Sequence, residues 1–443
     1  MRSNAMSKKV FFRNEKGIIL ILSLLIMLVL ITTNLGLFTL IVNEIKLVIY
    51  EERSNIALPI AEAGIEQAKV WLMQSSHPDS TVLPHVIEGN IGEGSYRAVI
   101  IGTVTSGTPG YIRYKVKSVG TTTIGDRKIS RKIIAEFQTE SFSRFFYFTD
   151  SERAPDYTPY TIVWFWKNDR IRGPAHTNTN NPTSHGFYIY QTATEYPIFN
   201  RLSSSVGLKV YDYEKGEISA PENVFQGGFS GGGKYISMPA DAEYLKTAAE
   251  NEGIYLQGTT TIELLSTGEI KYTNNGITNI VPVPSNGAFY VNNGNITSLK
   301  GILAGQLTIG ANGDIYITDN ILYNVNPEIN PDSTDKLGLV SEGNVYIHQN
   351  APNDLTIYAC IMSINTAFHN LSYDSVVKGT LKVYGGIIQK RRGIIGLINT
   401  STGDKEYGYT KDYHYDSRLE QSPPPFFPPT GKYLTVSWRE SVN

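Results

Sequence analysis

An uncharged stretch of 27 residues near the N-terminus, Gly17–Asn43, constrains the fold of this chain more than any other feature. As a helix, about 20 apolar residues are enough to span the hydrocarbon core of a bilayer. The flank over 1–16 carries five basic side chains against one acid, Glu15, and the positive-inside rule keeps such a flank in the cytoplasm. We therefore expect a single-pass protein of the inner (cytoplasmic) membrane that spans it over 18–43, with its C-terminal part outside.

A cleaved signal peptide is the alternative interpretation of this segment. Signal peptides have an apolar stretch of about 7–15 residues, followed closely by an A-x-A-like cleavage site. The stretch here is longer, and the sequence Ala61-Glu62-Ala63 lies well beyond its end. We therefore interpret 1–17 as a basic leader, in which residues 1–6 resemble the remnant of an expression tag.

A stripe of mainly small residues continues the helical pattern beyond the apolar stretch. Its members are spaced by four, four, three and four positions, and they are Ala57, Ala61, Gly64, Ala68 and Leu72. Small side chains on one face allow close packing, either with a neighbouring helix or with the chain's own head domain. We predict one helix over 18–75, kinked at Pro59 because proline removes a backbone donor.

Three features occur together at this end of the chain. A basic leader ends in Lys16-Gly17, an apolar helix follows from Ile18, and an A-x-A-G-x-E-x-A motif covers 61–68. In this combination the segment resembles type IV pilins, most closely the minor pilins of the PilX-like class. In that family a membrane peptidase cuts after the glycine and N-methylates the next residue, so the resemblance implies prepilin processing at Gly17 and Ile18.

One position departs from the family pattern. Most pilins carry Glu as the fifth residue after the cut, where it neutralises the N-terminal amine of a neighbouring subunit. This chain has Leu22 there, so it offers no acid to the amine of a neighbouring subunit. The absence is consequential because an unpaired charge in lipid costs several kcal/mol. Since minor pilins and the tip subunits of secretion pseudopili often lack the acid as well, the resemblance favours a low-copy subunit over a bulk pilin.

A small β region follows the predicted helix. The composition of 76–94 is typical of a loop, and three segments after it alternate apolar and polar residues as half-buried strands do: Tyr96–Ile101, Tyr111–Val119 and Lys128–Thr139. We expect a small antiparallel sheet that packs on the helix, and we assign 76–141 to this pilin-like head.

Short apolar runs separated by Gly and Asn dominate the region 142–430. A G-x-Φ-x-Φ pattern, where Φ is apolar or aromatic, begins at Gly287, Gly313, Gly343 and Gly379, at intervals of 26, 30 and 36 residues. Propeller blades need about 40–45 residues, whereas shorter and uneven coils are typical of a parallel β-helix. A sandwich of antiparallel strands remains the alternative.

The predicted fold class is mainly β with one long N-terminal α-helix, in which a small antiparallel pilin-like sheet precedes a parallel β-helix (solenoid). Residues 431–443 are assigned to a C-terminal strand or tail. Phrases such as Arg172–Asn178 and Leu337–Ile347 also resemble a poorly characterised domain family found behind PilX-like N-termini. That family has no accepted activity, so this resemblance implies a fold and no chemistry.

The search for catalytic or metal-binding patterns points away from an enzyme. Asp314 and Asp319 are five positions apart, which in an extended strand places them on opposite faces. The seven His residues show no zinc spacing, and the single Cys360, expected to be a buried small hydrophobe, excludes disulfides. His176 with Asn178 is interpreted as a structural corner. We therefore expect no catalytic residue, no metal, no cofactor and no small-molecule substrate.

The only basic cluster is Lys390, Arg391 and Arg392. Contact with phosphates, including weak contact with DNA, is its functional interpretation, and a solvated loop is the structural one. The net charge of −2 gives the chain no global attraction for nucleic acid. The segment Pro423–Pro429 is interpreted either as a polyproline ligand or as a strap whose Phe426 and Phe427 cover the open end of the solenoid.

Taken with the resemblance, these features predict a membrane-anchored, minor-pilin-like structural subunit of a type IV pilus or related filament. Its position would be low-copy or at the extracellular tip, and its partners would be other pilins, the pilus assembly machinery and the membrane. The alternatives are an envelope-tethered β-helix protein that binds or degrades polysaccharide, and a plain bitopic anchor that is never processed.

Overall fold

The computed structural model describes residues 15–74, 82–105, 107–155, 161–167, 169–180, 185–399 and 404–441. Strands account for 48% of the chain, which makes the fold mainly β as predicted. The helices are α1 Glu15–Gln74 and α2 Glu243–Glu252, with 3-10 turns at Phe142–Arg144 and Ser417–Glu420. Most of the leader, residues 1–14, lies outside the described residues.

The strands in the described part of the chain are, in order, β1 His85–Ile91, β2 Gly94–Thr105, β3 Ile112–Ile124, β4 Arg127–Ser141, β5 Tyr147–Ser151, β6 Arg170–Ile171, β7 Ala175–Thr177, β8 His185–Ile189, β9 Ile198–Phe199, β10 Ser203–Ser205, β11 Lys209–Asp212, β12 Gly216–Ile218, β13 Phe229–Ser230, β14 Ile254–Gln257, β15 Thr260–Leu265, β16 Glu269–Asn274, β17 Ile277–Pro282, β18 Ala288–Asn292, β19 Ile296–Leu303, β20 Gln306–Ala311, β21 Ile315–Tyr323, β22 Lys336–Ser341, β23 Val345–Ile347, β24 Leu355–Ser363, β25 Phe368–Asn370, β26 Val377–Arg391, β27 Gly396–Ile398, β28 Lys405–Tyr415 and β29 Pro429–Glu440.

The predicted long N-terminal helix is confirmed as α1. Its 60 residues correspond to a length of about 90 Å, and it continues as one helix through Pro59. Inside the apolar part, hydroxyl groups donate hydrogen bonds back to helix carbonyls, as Ser23 does to Leu20. With a mean hydropathy of 2.8 in its most apolar window, the helix is long and apolar enough to cross a membrane.

The head is a five-stranded antiparallel sheet in the order β1-β2-β3-β4-β29. The three predicted strands are confirmed within β2, β3 and β4. The loop expected over 76–94 is wrong for β1, because 85–91 pairs along its whole length with β2. The C-terminal strand β29 pairs with β4, so the two ends of the β region meet in one sheet.

A long parallel ladder runs through the rest of the chain. Its strands follow the order β14, β18, β20, β22, β24, β26, β5, β7, β10 and β13, and we call it the first ladder. A second parallel ladder contains β15, β19, β21, β23 and β25. These parallel pairings do not fit the antiparallel sandwich that the sequence left open.

Inward-facing side chains stack in register along the first ladder. Phe289, Ile309, Leu339, Ile361 and Ile387 are successive partners, at intervals of 20, 30, 22 and 26 residues. They belong to one continuous apolar core, which also contains the buried residues of the second ladder. Burial of this column excludes water from both ladders and is the main favourable contribution to their stability.

Three of the four recurrent glycines precede a strand, but the four do not occupy equivalent positions in the fold. Gly287 precedes β18 of the first ladder, whereas Gly313 and Gly343 precede β21 and β23 of the second. Gly379 lies inside β26. The intervals between these glycines therefore do not measure one coil, because they join positions in two different ladders. Glycine is favoured at a corner before a strand of either ladder.

The order of strands in the first ladder differs from their order in the chain. The segment from β5 to β13 occupies one end, and the chain then passes through α2 and re-enters at β14, the opposite end. It progresses back to β26, which pairs with β5. The two segments therefore meet at a seam, which we define as the pairing of β26 with β5.

The proline-rich strap lies along a side of the first ladder rather than over its end, so that the expected end cap is wrong. Phe427 is fully buried among outward-facing residues of the ladder strands and residues of α2. Thr308 donates a hydrogen bond to the carbonyl of Pro425, and Tyr111 of the head donates to the carbonyl of Phe427. The strap therefore fills the space between the head and the ladder.

Candidate functional site

The N-terminal half of α1 packs against no other described part of the chain. Ile18 is 54% exposed and Leu22 is 56% exposed, and the side chains from there to Tyr50 are nearly all exposed. An isolated apolar helix of this length must bury its surface in lipid or against other helices, because exposure of its side chains to water is unfavourable. Gly17 lies within the helix, one residue before the first described side chain.

The small-residue stripe packs on the chain's own head. Ala57, Ala61, Ala68 and Leu72 are fully buried against the head sheet. A side chain at Gly64 would overlap Ser118 and Tyr96, so this position needs glycine for the sheet to approach. At the height of the stripe, the packing partner is therefore the head sheet, one of the two partners that the sequence left open.

On the opposite side of this contact, Gly120 of β3 allows the sheet to approach α1 closely. A Cβ atom added there would overlap the backbone of Ala57 and Ala61. The head core around this contact includes Tyr114, which is fully buried, and Tyr433 of β29, whose ring meets that of Tyr114 edge to face at 5.7 Å. The C-terminal strand thus contributes to the surface on which α1 lies.

The basic cluster at the end of β26 is divided by the fold. Lys390 forms an ion pair of 2.8 Å with Asp150 across the seam, and Arg391 is exposed. Arg392 is 4% exposed. The expectation of a solvated or phosphate-binding cluster is therefore wrong for Arg392, whose guanidinium is directed inward.

Arg392 belongs to a buried ionic cluster that no sequence pattern revealed. Its Nη1 lies 3.1 Å from Glu152 Oε2, and Glu152 also accepts a hydrogen bond of 2.9 Å from the hydroxyl of Tyr147. Lys411 Nζ lies 2.9 Å from Asp169 Oδ2, which is 3.9 Å from Arg392 Nη2. The cluster holds two acids and two bases, so its formal charge is zero.

His176 is buried beside the seam in the middle of strand β7, so the predicted corner is wrong, and its imidazole contacts side chains rather than backbone groups. Its Nδ1 lies 2.8 Å from Ser204 Oγ and its Nε2 lies 3.0 Å from Asn178 Oδ1. Asn178 in turn bonds both backbone groups of Ile236. Burial lowers the pKa of His176 to about 4, which keeps the imidazole neutral at physiological pH.

The other predicted positions also have structural roles. Asp314 accepts a hydrogen bond of 2.7 Å from the backbone of Asn344, and Asp319 accepts one of 2.7 Å from Asn320. Cys360 is a free, fully buried thiol, as expected. Among the described residues, no group of three His, Cys, Asp or Glu side chains is arranged to hold a metal ion.

The chain matches no protein-family model, no curated protein and no solved structure. The resemblance to minor pilins therefore stays a prediction from the residues of the N-terminal segment.

Proposed function

We propose that this chain is a membrane-anchored, minor-pilin-like structural subunit of a type IV pilus or a related filament. The observation that carries the proposal is the division of α1 into two halves. One half is exposed over 18–50 and carries no charge up to Asn43, and the other lies with its small-residue stripe buried on an antiparallel sheet. A helix of this kind anchors the subunit in the membrane and offers a surface to neighbouring helices, while its head stays outside.

The region 142–430 is, in this proposal, a parallel β-helix that projects from the head. Support comes from the two parallel ladders with a shared apolar core and from the in-register stacking of inward side chains. Such a body is stiff and elongated because each coil packs only on its neighbours. It is suited to assembly or to contact with a surface.

A low-copy or tip position follows from size and from Leu22. A projecting region of almost 300 residues is too bulky to repeat at every subunit of a thin filament. The helix also lacks the acid at Leu22 that would pair with a neighbouring amine inside lipid. Its partners in this proposal are other pilins and the pilus assembly machinery.

The mature N-terminus tests the proposal most directly. Mass spectrometry of the protein from its native host should find a chain that begins with N-methylated Ile18, and the variant Gly17→Leu should keep its leader. Gly36→Leu is the matched control, since Gly36 lies in the same helix with open space around its Cα. A chain that retains Lys16 and never copurifies with filaments would contradict the proposal and favour a plain anchor.

A further inference from the structure

A cavity of about 190 Å³ lies at the ionic cluster, between the end of β26, residues 161–166, 169 and 171, and strands β27 and β28. Its walls are mainly apolar and include Val163, Phe165 and Ile395. Its volume exceeds the space that one water molecule occupies, which is about 30 Å³ in the liquid. It is smaller than the roughly 300–1,000 Å³ pockets that hold drug-sized ligands, but an apolar cavity of about 150 Å³ is enough for one benzene ring.

Gln389 brings an unused hydrogen-bond donor to this cavity. The residue is 3% exposed and lines the cavity wall. Its Oε1 accepts hydrogen bonds from the backbone N–H groups of Phe368, at 3.0 Å, and Gly393, at 3.1 Å. These two bonds fix the carboxamide, and its NH₂ group has no partner among the described residues. A donor left free at the cavity wall favours a ligand that carries an oxygen acceptor, and the buried hydroxyl of Tyr413 in the same wall also has no partner among the described residues.

Asp169, Arg392 and Lys411 of the ionic cluster form part of the cavity wall, and their charges are already balanced within the cluster, which disfavours a charged ligand. Glu152 and Asp169 are matched by Arg392 and Lys411, and burial lowers the pKa of Lys411 against the opposing effect of Asp169. An added ion would bring an uncompensated charge into a largely apolar space, which is strongly unfavourable.

Aromatic rings set the shape of the space. Tyr147, Phe165 and Tyr413 line it, and the guanidinium of Arg392 lies 3.5 Å above the centre of the Phe165 ring. Flat walls of this kind pack best against a flat molecule. We propose that the cavity binds a small, flat and neutral aromatic compound that accepts a hydrogen bond from the Gln389 amide. This inference goes beyond the sequence expectation of no small-molecule substrate and does not depend on the pilin proposal.

Benzamide and benzoate are matched probes, since they share ring and size and differ in charge. Isothermal titration of the full chain in detergent micelles, against empty micelles as blank, should detect benzamide and show binding at least about tenfold weaker for benzoate. Methyl glucoside tests a saccharide ring in the same titration. The proposal is overturned if benzamide does not bind, if benzoate binds equally well, or if only the glucoside binds.

Two variants assign any binding to this cavity. Ile395→Phe fills the space and should abolish benzamide binding, whereas Leu371→Phe, at a 39% exposed position outside the cavity, should leave it unchanged. Gln389→Glu keeps the oxygen that accepts from Phe368 and Gly393 but removes the donor, and should weaken benzamide binding by about tenfold. If Gln389→Glu fails to fold, Ile395→Phe still decides, because unchanged benzamide binding in that variant overturns the proposal.

Discussion

The guanidinium of Arg392 lies 3.1 Å from the carboxylate of Glu152, although 240 positions of sequence separate the two residues. Arg392 follows β26 and Glu152 follows β5, so the pair closes the seam at which the two segments of the first ladder meet. The 2.8 Å ion pair of Lys390 with Asp150 crosses the same seam. The seam is therefore a stretch of ladder reinforced by charges.

Loss of Arg392 should destabilise the protein strongly. Arg392→Met leaves the carboxylate of Glu152 buried without its cation, and the free energy of unfolding should fall by about 3–5 kcal/mol. The control is Lys390→Met, which breaks the more exposed pair with Asp150 across the same seam and should cost about 0–1 kcal/mol. Denaturant unfolding of the purified full chain measures both values, and equal losses would show that burial of the pair does not matter.

A double variant separates the effect of the Arg392–Glu152 ion pair from the effect of the volume that the Arg392 side chain fills. Arg392→Met combined with Glu152→Gln removes the uncompensated charge, so that it should be more stable than Arg392→Met alone. A double variant as unstable as the sum of the two single variants would mean that Arg392 acts by packing on Phe165 and not through Glu152.

Docking of α1 on the head should depend on Gly120. Gly120→Val places a side chain against the backbone of Ala57 and Ala61, where neither partner can yield, and should lower the stability of the head by about 1–3 kcal/mol. Gly102→Val is the matched control, because Gly102 lies in the neighbouring strand with open space around it. Limited proteolysis should cut the head of Gly120→Val sooner than that of the control. Equal cleavage rates would contradict the close approach of helix and sheet.

Acid should lower the stability of the fold through protonation of His176. Because burial lowers its pKa in the folded state to about 4 from an ordinary value near 6.5, the unfolded chain binds more protons between these values. The contribution of neutral His176 to the free energy of unfolding is fully present above about pH 6.5 and is lost progressively as pH falls to about 4. It amounts to roughly 3 kcal/mol at most.

His176→Gln tests this pH dependence by removing the titrating group. Melting temperatures measured from pH 7 to pH 4 should fall less steeply for His176→Gln than for the parent chain. Burial also lowers the pKa of His185, so His185→Gln serves as the comparison variant. Parallel profiles for the parent chain and His176→Gln would show that His176 is not held neutral by the fold.

Local patterns predicted the elements better than their partners. The uncharged stretch and the small-residue stripe predicted α1, and alternation predicted β2, β3 and β4, because both signals act within one element. The pairing of β29 with β4 and of β26 with β5 had no local signal. Many apolar strands of similar length pair equally well, and only the assembled fold selects among them.

The ionic cluster was beyond sequence reasoning for a related reason. Glu152, Asp169, Arg392 and Lys411 belong to no spaced motif, and Arg392 was expected on the surface because it follows Lys390 and Arg391. In a strand, neighbouring side chains point to opposite faces, so a run of three basic residues need not share one environment. The burial of Cys360 was predicted correctly because its flanking residues are apolar.

Cys360 should report on opening of the first ladder. It is the only cysteine of the chain, it is fully buried in β24, and burial raises the pKa of its thiol. Iodoacetamide, which reacts with the thiolate, should therefore leave the native protein unmodified and alkylate it completely in denaturant. The variant Val377→Cys adds a thiol at a 61% exposed position of the adjacent strand β26. Mass spectrometry of this variant under native conditions should find a single alkylated site, at 377, and alkylation of both thiols at similar rates would contradict the packing of β24 against the strap and its neighbours.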